Sequence, residues 1–257
     1  MPLVYACIAP HGGEIIPELA RSKRIAELFQ QTRRGMAELS SQMRKASPDV
    51  IIIATPHNLR LWKHIGIVFS EFSSGSINSE SKRRAPISVS AECDVKLARE
   101  IYSRAVDAGL PIVGANYGTF EGRTSDLPMD WGTLIPVHFF LGRKRDPKVV
   151  IITPSREIEI QQNFDFGRIV GEIANEKRDL RIAFVASADQ AHTHKKSGPY
   201  GFHPSALAFD TLVQAAVSEN NLKPLLNLDS KFLEDVKPDC IWQIAILEGC
   251  LSRFSYR

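Results

Sequence analysis

The chain has 257 residues, of which 44% are hydrophobic and 24% charged, with a formal net charge of +3. This length can bury a substantial core, and scattered basic residues without aromatic interleaving exclude the usual nucleic-acid-binding surface. Apolar runs all fall short of the ~20 residues that span a bilayer. The four cysteines are far apart, which indicates reduced thiols in a cytoplasmic protein rather than a disulfide framework. We therefore expect one globular domain with neither nucleic-acid nor membrane partners.

Apolar, β-branched runs alternate with amphipathic segments along the chain. The predicted strands are 3–9, 50–55, 65–69, 111–114, 148–153 and 182–187. The predicted helices are 15–45, 91–108, 157–175, 204–218 and 239–253. The stretch 70–88, rich in Ser, Gly, Lys and Arg, predicts a mobile loop or lid. Strand–helix alternation predicts an α/β fold, with a central, mostly parallel sheet and helices on both faces in a single domain, residues 1–257.

Two histidines follow strand-like runs in matching contexts. The first run ends at Pro10-His11-Gly12 and the second at Pro56-His57-Asn58. Ligands collect at the carboxyl ends of strands in open α/β sheets, so the two imidazoles can converge on one point. Neutral imidazole is a common ligand for iron, zinc and copper. The pair therefore favours a metal site over two unrelated loop histidines.

A third polar cluster follows the predicted strand 182–187 and contains Asp189, His192 and His194. An imidazole beside a metal-bound substrate can act as acid and base near neutral pH, and Asp189 could orient it by a hydrogen bond. We expect one of the two histidines to be an exposed loop residue. Trp131, at the start of an apolar helix, could wall a pocket for a flat substrate or pack in the core.

The last predicted helix contains two candidate carboxylate ligands. Asp239 and Glu248 are nine positions apart, which places them on opposite faces of a helix, so only one can point inward. Asp239, at the helix start, is the favoured ligand, although aspartate is also a common helix cap at that position.

Five motifs follow one another along the chain, namely Pro10-His11-Gly12, Pro56-His57-Asn58, Asp130-Trp131-Gly132-Thr133, Ser187 to His192 and Pro238-Asp239. In this order they resemble the motifs of the class III extradiol ring-cleavage dioxygenases, catalytic B-type subunit. The resemblance covers nearly the whole chain. It implies a central, mostly parallel sheet and a non-haem Fe(II) centre with His11, His57 and Asp239 as ligands. It also implies that His192, rather than His194, is the acid/base residue.

The same resemblance implies a reaction between dioxygen and a small aromatic substrate of the catechol or 2-aminophenol type. We expect Trp131, Asp189, His194, Gly12 and Asn58 to contact the substrate. Two departures from the family pattern matter. The family carboxylate is usually Glu, so Asp239 has the shorter reach, and Trp131 stands where many members carry a histidine. A homo-oligomer or a complex with a small partner subunit is expected.

Two further interpretations stay open. Zn²⁺ could occupy the same ligands and activate water for hydrolysis, and Mn²⁺ is a further alternative metal. The chain also resembles Memo-like proteins, which share the fold and the histidines at the strand ends and are regarded as binding or redox-linked proteins. The acid/base histidine favours the enzyme, whereas Trp131 favours the Memo-like alternative.

Overall fold

The computed structural model describes residues 3–79, 85–142 and 145–254. Its strands are β1 (Leu3–Ala9), β2 (Val50–Ala54), β3 (Ile65–Val68), β4 (Phe72–Ile77), β5 (Ile87–Glu92), β6 (Ile112–Ala115), β7 (Asp126–Pro128), β8 (Lys148–Thr153) and β9 (Ile182–Ser187). Its α-helices are α1 (Lys23–Leu28), α2 (Gln30–Ala46), α3 (Val95–Asp107), α4 (Trp131–Phe140), α5 (Ile160–Glu176), α6 (Ser205–Ser218), α7 (Ser230–Val236) and α8 (Ile241–Leu251). Short 3₁₀ turns occupy Gly13–Ile15 and Lys223–Asn227.

A six-stranded sheet in the order β1-β9-β2-β8-β3-β6 forms the centre of the domain. The strands β1, β9, β2 and β8 are mutually parallel, β3 is antiparallel to β8, and β6 is parallel to β3. All five residues of β2 are buried, as expected for a β-branched run covered on both faces. The predicted α/β architecture is therefore confirmed.

Alternate residues of the central strands supply two separate hydrophobic cores. In β2, Ile52 faces a core that includes residues of α3, α5, α6 and α8. Its neighbours Ile51 and Ile53 face a second core with residues of α2 and α4. This two-residue alternation is the pleat of a strand, and it accounts for helices on both faces of the sheet.

The helix predicted over residues 15–45 is wrong in its first third. Helix α1 begins only at Lys23, and α2 follows it from Gln30. Pro17 cannot donate a backbone hydrogen bond to a helix, and the hydroxyl of Ser22 accepts the N–H of Ile25, which starts a new helix. The amphipathic periodicity of this segment is thus shared between two helices.

The loop or lid predicted over residues 70–88 is wrong over residues 72–77 and 87–88, which belong to strands; residues 80–84 lie outside the described residues. Strand β4 pairs antiparallel with β5 and parallel with β7 in a separate three-stranded sheet. The side chains of β5 alternate between more and less exposed positions, a period-two pattern that the serine-rich composition obscures. Because β5 extends to Glu92, helix α3 begins at Val95 rather than at residue 91.

Helices α5 and α8 approach each other closely at two glycines. A Cβ atom built on Gly167 would lie 2.1 Å from the carbonyl oxygen of Ile246, and one on Gly249 would lie 2.0 Å from that of Phe164. Any larger residue would separate the helices, so this contact fixes the position of α8. The segment immediately before α8 carries the candidate carboxylate ligand Asp239.

Two expectations drawn from composition concern disulfide bonds and membrane-spanning helices. All four cysteines are buried and free of disulfide bonds. Within residues 3–79, 85–142 and 145–254, no helix combines the length and apolar character that a membrane crossing requires.

Candidate metal centre

The carboxyl ends of four neighbouring parallel strands converge on one site. His11 follows β1, His57 follows β2 and Arg156 follows β8, while Ser187 is the last residue of β9 and Asp189 comes shortly after it. Because the four strands are adjacent and parallel, these side chains lie at one edge of the sheet.

Three side chains form a cluster with metal-binding geometry. His11, His57 and Asp239 each offer one ligand atom, and these atoms all lie within 4.8 Å of one another. Oδ2 of Asp239 is 2.9 Å from Nε2 of His57 and 3.7 Å from Nε2 of His11. The structure thus brings together the three residues that the sequence predicts as ligands. Two imidazoles and a carboxylate are a donor set that suits Fe(II), and zinc also accepts it.

Asp239 lies just before helix α8 and does not cap it. The flanking position is occupied by Cys240, and no side chain caps this helix end. The backbone N–H of Asp239 donates to the carbonyl of Asp189 (3.2 Å), which ties this segment to the end of β9. Glu248, the alternative ligand, is buried inside α8 and is not part of the metal-binding cluster.

Buried Gln243 reinforces that connection. Its Nε2 donates to the carbonyls of Ser187 (3.1 Å) and Asp239 (2.9 Å). One amide group therefore holds the carboxylate segment against the strand that supports His11.

Burial favours the neutral form of both candidate ligand histidines. His11 is only 2% exposed, and desolvation lowers its pKa. The pKa of His57 is lowered to about 4, first by burial and then by the proximity of His11. Metal binding requires the unprotonated imidazole, so both rings are in the binding form at neutral pH.

Ser187 determines which nitrogen of His11 carries the proton. The Ser187 hydroxyl donates its single hydrogen to the carbonyl of Gly132, so it can only accept a hydrogen bond from Nδ1 of His11, 3.0 Å away. Nδ1 therefore carries the proton, and the lone pair of Nε2 points towards Asp239. This is how an outer partner fixes the tautomer of a metal-ligating histidine.

Arg156 contacts the other oxygen of the candidate carboxylate ligand. Its guanidinium forms an ion pair with Oδ1 of Asp239 and lies over the ring of Trp242, 4.8 Å from the centroid. Burial lowers the pKa of Arg156, and the nearby charge of Arg60 lowers it further. The sequence analysis missed Arg156. Its context, Thr153-Pro154-Ser155-Arg156 after an apolar strand, repeats that of the second Pro-His motif.

A cavity of about 710 Å³ opens beside the cluster. Its lining includes aromatic and titratable side chains, namely His57, Trp131, Arg156, His192, Tyr200 and Trp242. Nδ1 of His192 donates to the carbonyl of Lys237 (2.9 Å), so in the neutral ring Nε2 is the free acceptor. The ring of Tyr200 packs edge-on against His192, with centroids 5.5 Å apart.

Trp131 and Gly132 shape the surroundings of His57. The ring of Trp131 is half exposed and packs on that of His57 with centroids 4.1 Å apart, so Trp131 belongs to the cavity wall and not to the core. A Cβ on Gly132 would lie within 3.0 Å of His57 and 2.7 Å of the Thr55 hydroxyl. Asp130 caps α4 by accepting the N–H (3.1 Å) and hydroxyl (2.7 Å) of Thr133.

The remaining predicted substrate contacts lie outside this cavity. Nε2 of His194 is 2.9 Å from the carboxylate of Asp210, and the His194 side chain is largely exposed. Gly12, Asp189 and His194 instead border a second cavity of about 940 Å³ between the end of β1 and helix α6. Asn58 has a positive φ of 46°, and its amide donates to the carbonyl of Pro128 (3.5 Å).

Asp189 nevertheless contacts the metal-binding cluster. Its Oδ2 is 3.4 Å from Nε2 of His11, and its Oδ1 accepts the backbone N–H of the same residue (3.1 Å). Asp189 therefore helps to hold His11 in place.

Comparison with known proteins agrees with the resemblance stated above. The family model for the catalytic LigB subunit of aromatic ring-opening dioxygenase matches residues 5–255. Protein CA_C1420 of Clostridium acetobutylicum is 24% identical over 245 residues, which are 95% of this chain and 51% of the relative. The chain thus spans about half the length of that curated relative. The crystal structure of the uncharacterized protein JW3007 from Escherichia coli K12 is 19% identical, with a TM-score of 0.50 over 86% of this chain and 81% of that one, and this likeness shows the fold alone.

Proposed function

This chain belongs to the family of catalytic LigB subunits of aromatic ring-opening dioxygenases, and on that premise we propose that it is a non-haem Fe(II)-dependent extradiol dioxygenase. Its substrate would be a catechol or 2-aminophenol type ring, cleaved with dioxygen. The observation that carries the proposal is the convergence of His11, His57 and Asp239 beside a cavity that also contains His192.

The residues present fit an Fe(II) ion. His11 and His57 would supply neutral nitrogen ligands and Asp239 one carboxylate oxygen, with Ser187 holding His11 in the required tautomer. When bound, Fe(II) would offer open positions for the two ortho heteroatoms of the substrate and for dioxygen, and would allow electron density to pass from the ring to dioxygen. The shorter side chain of Asp239 reaches the cluster because its backbone is paired with Asp189 at the end of β9.

His192 is proposed to move the proton. Its Nε2 is free to accept a proton from a substrate hydroxyl, because Nδ1 is already engaged by the carbonyl of Lys237. Histidine is suited to this task because imidazole can both accept and release a proton near neutral pH. The same nitrogen would then return the proton to the ring-opened product.

The aromatic side chains of the cavity would orient the ring. Trp131 stacks on His57 and borders the cavity, so a flat substrate beside the metal ligands would contact its face. Tyr200 packs on His192 and would hold the imidazole towards the substrate. Holding reacting groups in a fixed relative orientation lowers the entropic cost of the reaction.

The test is anaerobic purification, metal analysis, reconstitution with Fe(II), and measurement of dioxygen uptake with a panel of catechols and 2-aminophenols. We expect uptake with formation of a yellow ring-opened product, and loss of both metal and uptake in His57→Ala. His64→Ala is the matched control, because His64 lies in the loop before β3 and contacts the carbonyl of Trp62. Bound zinc with hydrolytic activity, or bound metal without any turnover, would replace the proposal by the hydrolase or the Memo-like alternative.

A further inference from the structure

We propose that Asp210, on helix α6, is a positioning residue for His192, the proposed acid/base residue. Its carboxylate holds the loop that carries His192 by accepting the backbone N–H of Ala191. Asp210 borders the second cavity, whereas His192 borders both, so Asp210 acts through the loop and not on the substrate. The inference rests on the proposed function, because it concerns the proton transfer at that same site.

The segment before α8 holds one part of this loop. The loop comprises residues 188–194 and follows β9 without forming a helix or a strand of its own. The backbone N–H of His192 donates to the carbonyl of Val236 (3.0 Å), and Nδ1 of the same residue donates to that of Lys237 (2.9 Å). The direction of the imidazole therefore depends on where the loop backbone lies relative to Lys237.

Asp210 holds the loop with both of its carboxylate oxygens. Oδ1 accepts the N–H of Ala191 (3.1 Å), and Oδ2 is 2.9 Å from Nε2 of His194. Ala191 immediately precedes His192, so the first contact fixes the peptide group next to the acid/base residue. A hydrogen bond to an ionised acceptor is roughly twice as strong as one between neutral groups. The contact with Ala191 is thus the one expected to govern the position of His192.

Helix α6 gives the carboxylate a fixed position. Phe209, next to Asp210 in the chain, is fully buried, and Val213 and Ala216 belong to the same hydrophobic core. The ring of Phe209 also packs against Phe232 of α7, with centroids 5.9 Å apart. A group on a well-packed helix positions its neighbours more precisely than a group on another loop would.

The two sets of contacts together select one tautomer of His192. With the proton on Nδ1 and directed at the carbonyl of Lys237, Nε2 is the free acceptor. Without the contact to Asp210 the loop could shift and lengthen this hydrogen bond, and the proton of the neutral ring could then reside on either nitrogen. A ring protonated on Nε2 cannot accept a substrate proton there.

The first test compares Asp210→Ala with Asp210→Asn in the Fe(II)-loaded protein. Alanine removes both contacts, whereas the amide oxygen of asparagine can still accept the N–H of Ala191 and its NH₂ group can donate to neutral His194. We expect kcat to fall about tenfold or more in Asp210→Ala, with unchanged KM for the aromatic substrate and unchanged metal content. Asp210→Asn should retain kcat to within about threefold of the wild type. Equal kcat in Asp210→Ala and the wild type would overturn the proposal.

The second test needs neither metal nor substrate. The tautomer of His192 is read from ¹⁵N NMR of the metal-free protein with labelled histidine, at a pH at which the ring is neutral, and its signals are assigned with His192→Gln. We expect proton occupancy on Nδ1 alone in the wild type and in Asp210→Asn, and a mixture of both tautomers in Asp210→Ala. A single, unchanged tautomer in Asp210→Ala would also overturn the proposal.

Alanine is a favourable helix residue, so α6 should persist in Asp210→Ala. If that variant unfolds nevertheless, Asp210→Gln replaces it with the same expectations, because the extra methylene displaces the acceptor from Ala191.

Two controls separate positioning from a general loss of stability. Asp49→Ala removes a carboxylate that accepts the N–H of Arg181 (3.0 Å) at the opposite end of β9, and it should change neither kcat nor the tautomer. His194→Ala removes only the contact with Oδ2, so the N–H of Ala191 keeps its acceptor and kcat should stay within about threefold of the wild type. Losses of kcat as large as that of Asp210→Ala in either control would contradict the assignment.

Because the tautomer is measured without turnover, that outcome is independent of dioxygen uptake. A change of tautomer in Asp210→Ala without ring cleavage by the wild type would support positioning by Asp210 while the proposed function fails. Ring cleavage with a tautomer that Asp210→Ala leaves unchanged would have the opposite meaning.

Discussion

Replacing Ser187 by alanine tests whether an outer hydrogen bond controls metal binding. The hydroxyl accepts from Nδ1 of His11 and donates to the carbonyl of Gly132, and all three groups are shielded from solvent. Without the hydroxyl, no hydrogen bond from this side chain stabilises the tautomer of neutral His11 that carries its proton on Nδ1. A ring protonated on Nε2 cannot bind a metal through that nitrogen.

The size of the effect follows from the hydrogen bonds that are lost. To bind the metal, His11 in Ser187→Ala must keep an unpaired, buried Nδ1–H, which costs about 1–3 kcal/mol. This corresponds to a decrease in metal affinity of roughly 5- to 150-fold, in the range of about 10- to 100-fold that outer partners of metal ligands contribute. The carbonyl of Gly132 loses its donor as well, so the free energy of unfolding should fall by a further ~1–3 kcal/mol.

The assay is competition for Zn²⁺ or Co²⁺ against a chelator of known affinity, with urea unfolding of the metal-free protein alongside. Ser73→Ala is the matched control, because Ser73 is equally buried and its hydroxyl donates to the carbonyl of Leu127 (2.8 Å) away from the site. The control should lose stability but bind the metal as the wild type does. If Ser187→Ala binds metal with wild-type affinity, the tautomer reasoning is refuted.

Three further predictions concern the same site. Gly132→Ala should weaken metal binding by about tenfold or more, because the added methyl group would displace the ring of His57. Asp130→Ala should lower the free energy of unfolding by about 1 kcal/mol through loss of the α4 cap. His192→Ala should retain the metal and lose about 10²- to 10⁴-fold in turnover, whereas His194→Ala should lose little.

Each of these predictions has an outcome that contradicts it. For Gly132→Ala, an unchanged chelator-competition curve would mean that the ring of His57 can shift without cost. Asp94→Ala is the comparison for the cap, because Asp94 accepts the N–H of Leu97 at the start of α3. Asp130 also accepts the Thr133 hydroxyl, so a smaller loss of stability in Asp130→Ala than in Asp94→Ala would contradict the prediction. A larger loss of turnover in His194→Ala than in His192→Ala would reverse the assignment of the acid/base residue.

The parts of the fold and site that could be predicted from the sequence are those with local signals. The central strands are largely apolar runs, and the ends of β1 and β2 are marked by Pro10 and Pro56, so the positions of His11 and His57 at one sheet edge follow from the parallel topology. By contrast, β4 and β5 are rich in serine, and this composition concealed their alternation. Pro17 was the overlooked signal for the break before α1.

The groups that support the ligands could not be predicted in this way. The contacts of Arg156 with Asp239 and of Ser187 with Gly132 join residues distant in sequence, so the strand-end contexts of Arg156 and Ser187 place them at the sheet edge but do not identify their partners. The same holds for His194, whose pairing with Asp210 depends on where α6 packs. Spacing predicts which residues can reach a sheet edge, but the contacts there depend on packing.

The position of Asp239 has a consequence for biosynthesis. The ribosome synthesises His11 and His57 first, and Asp239 follows 182 residues after His57. Asp239 is then held in place by the close packing of α8 on α5 at Gly167 and Gly249. A nascent chain that lacks α8 has two of the three candidate ligands and no supporting helix, so we expect full metal affinity only once α8 packs on α5. Metal loading is then expected to be a late event in maturation, after the sheet has assembled.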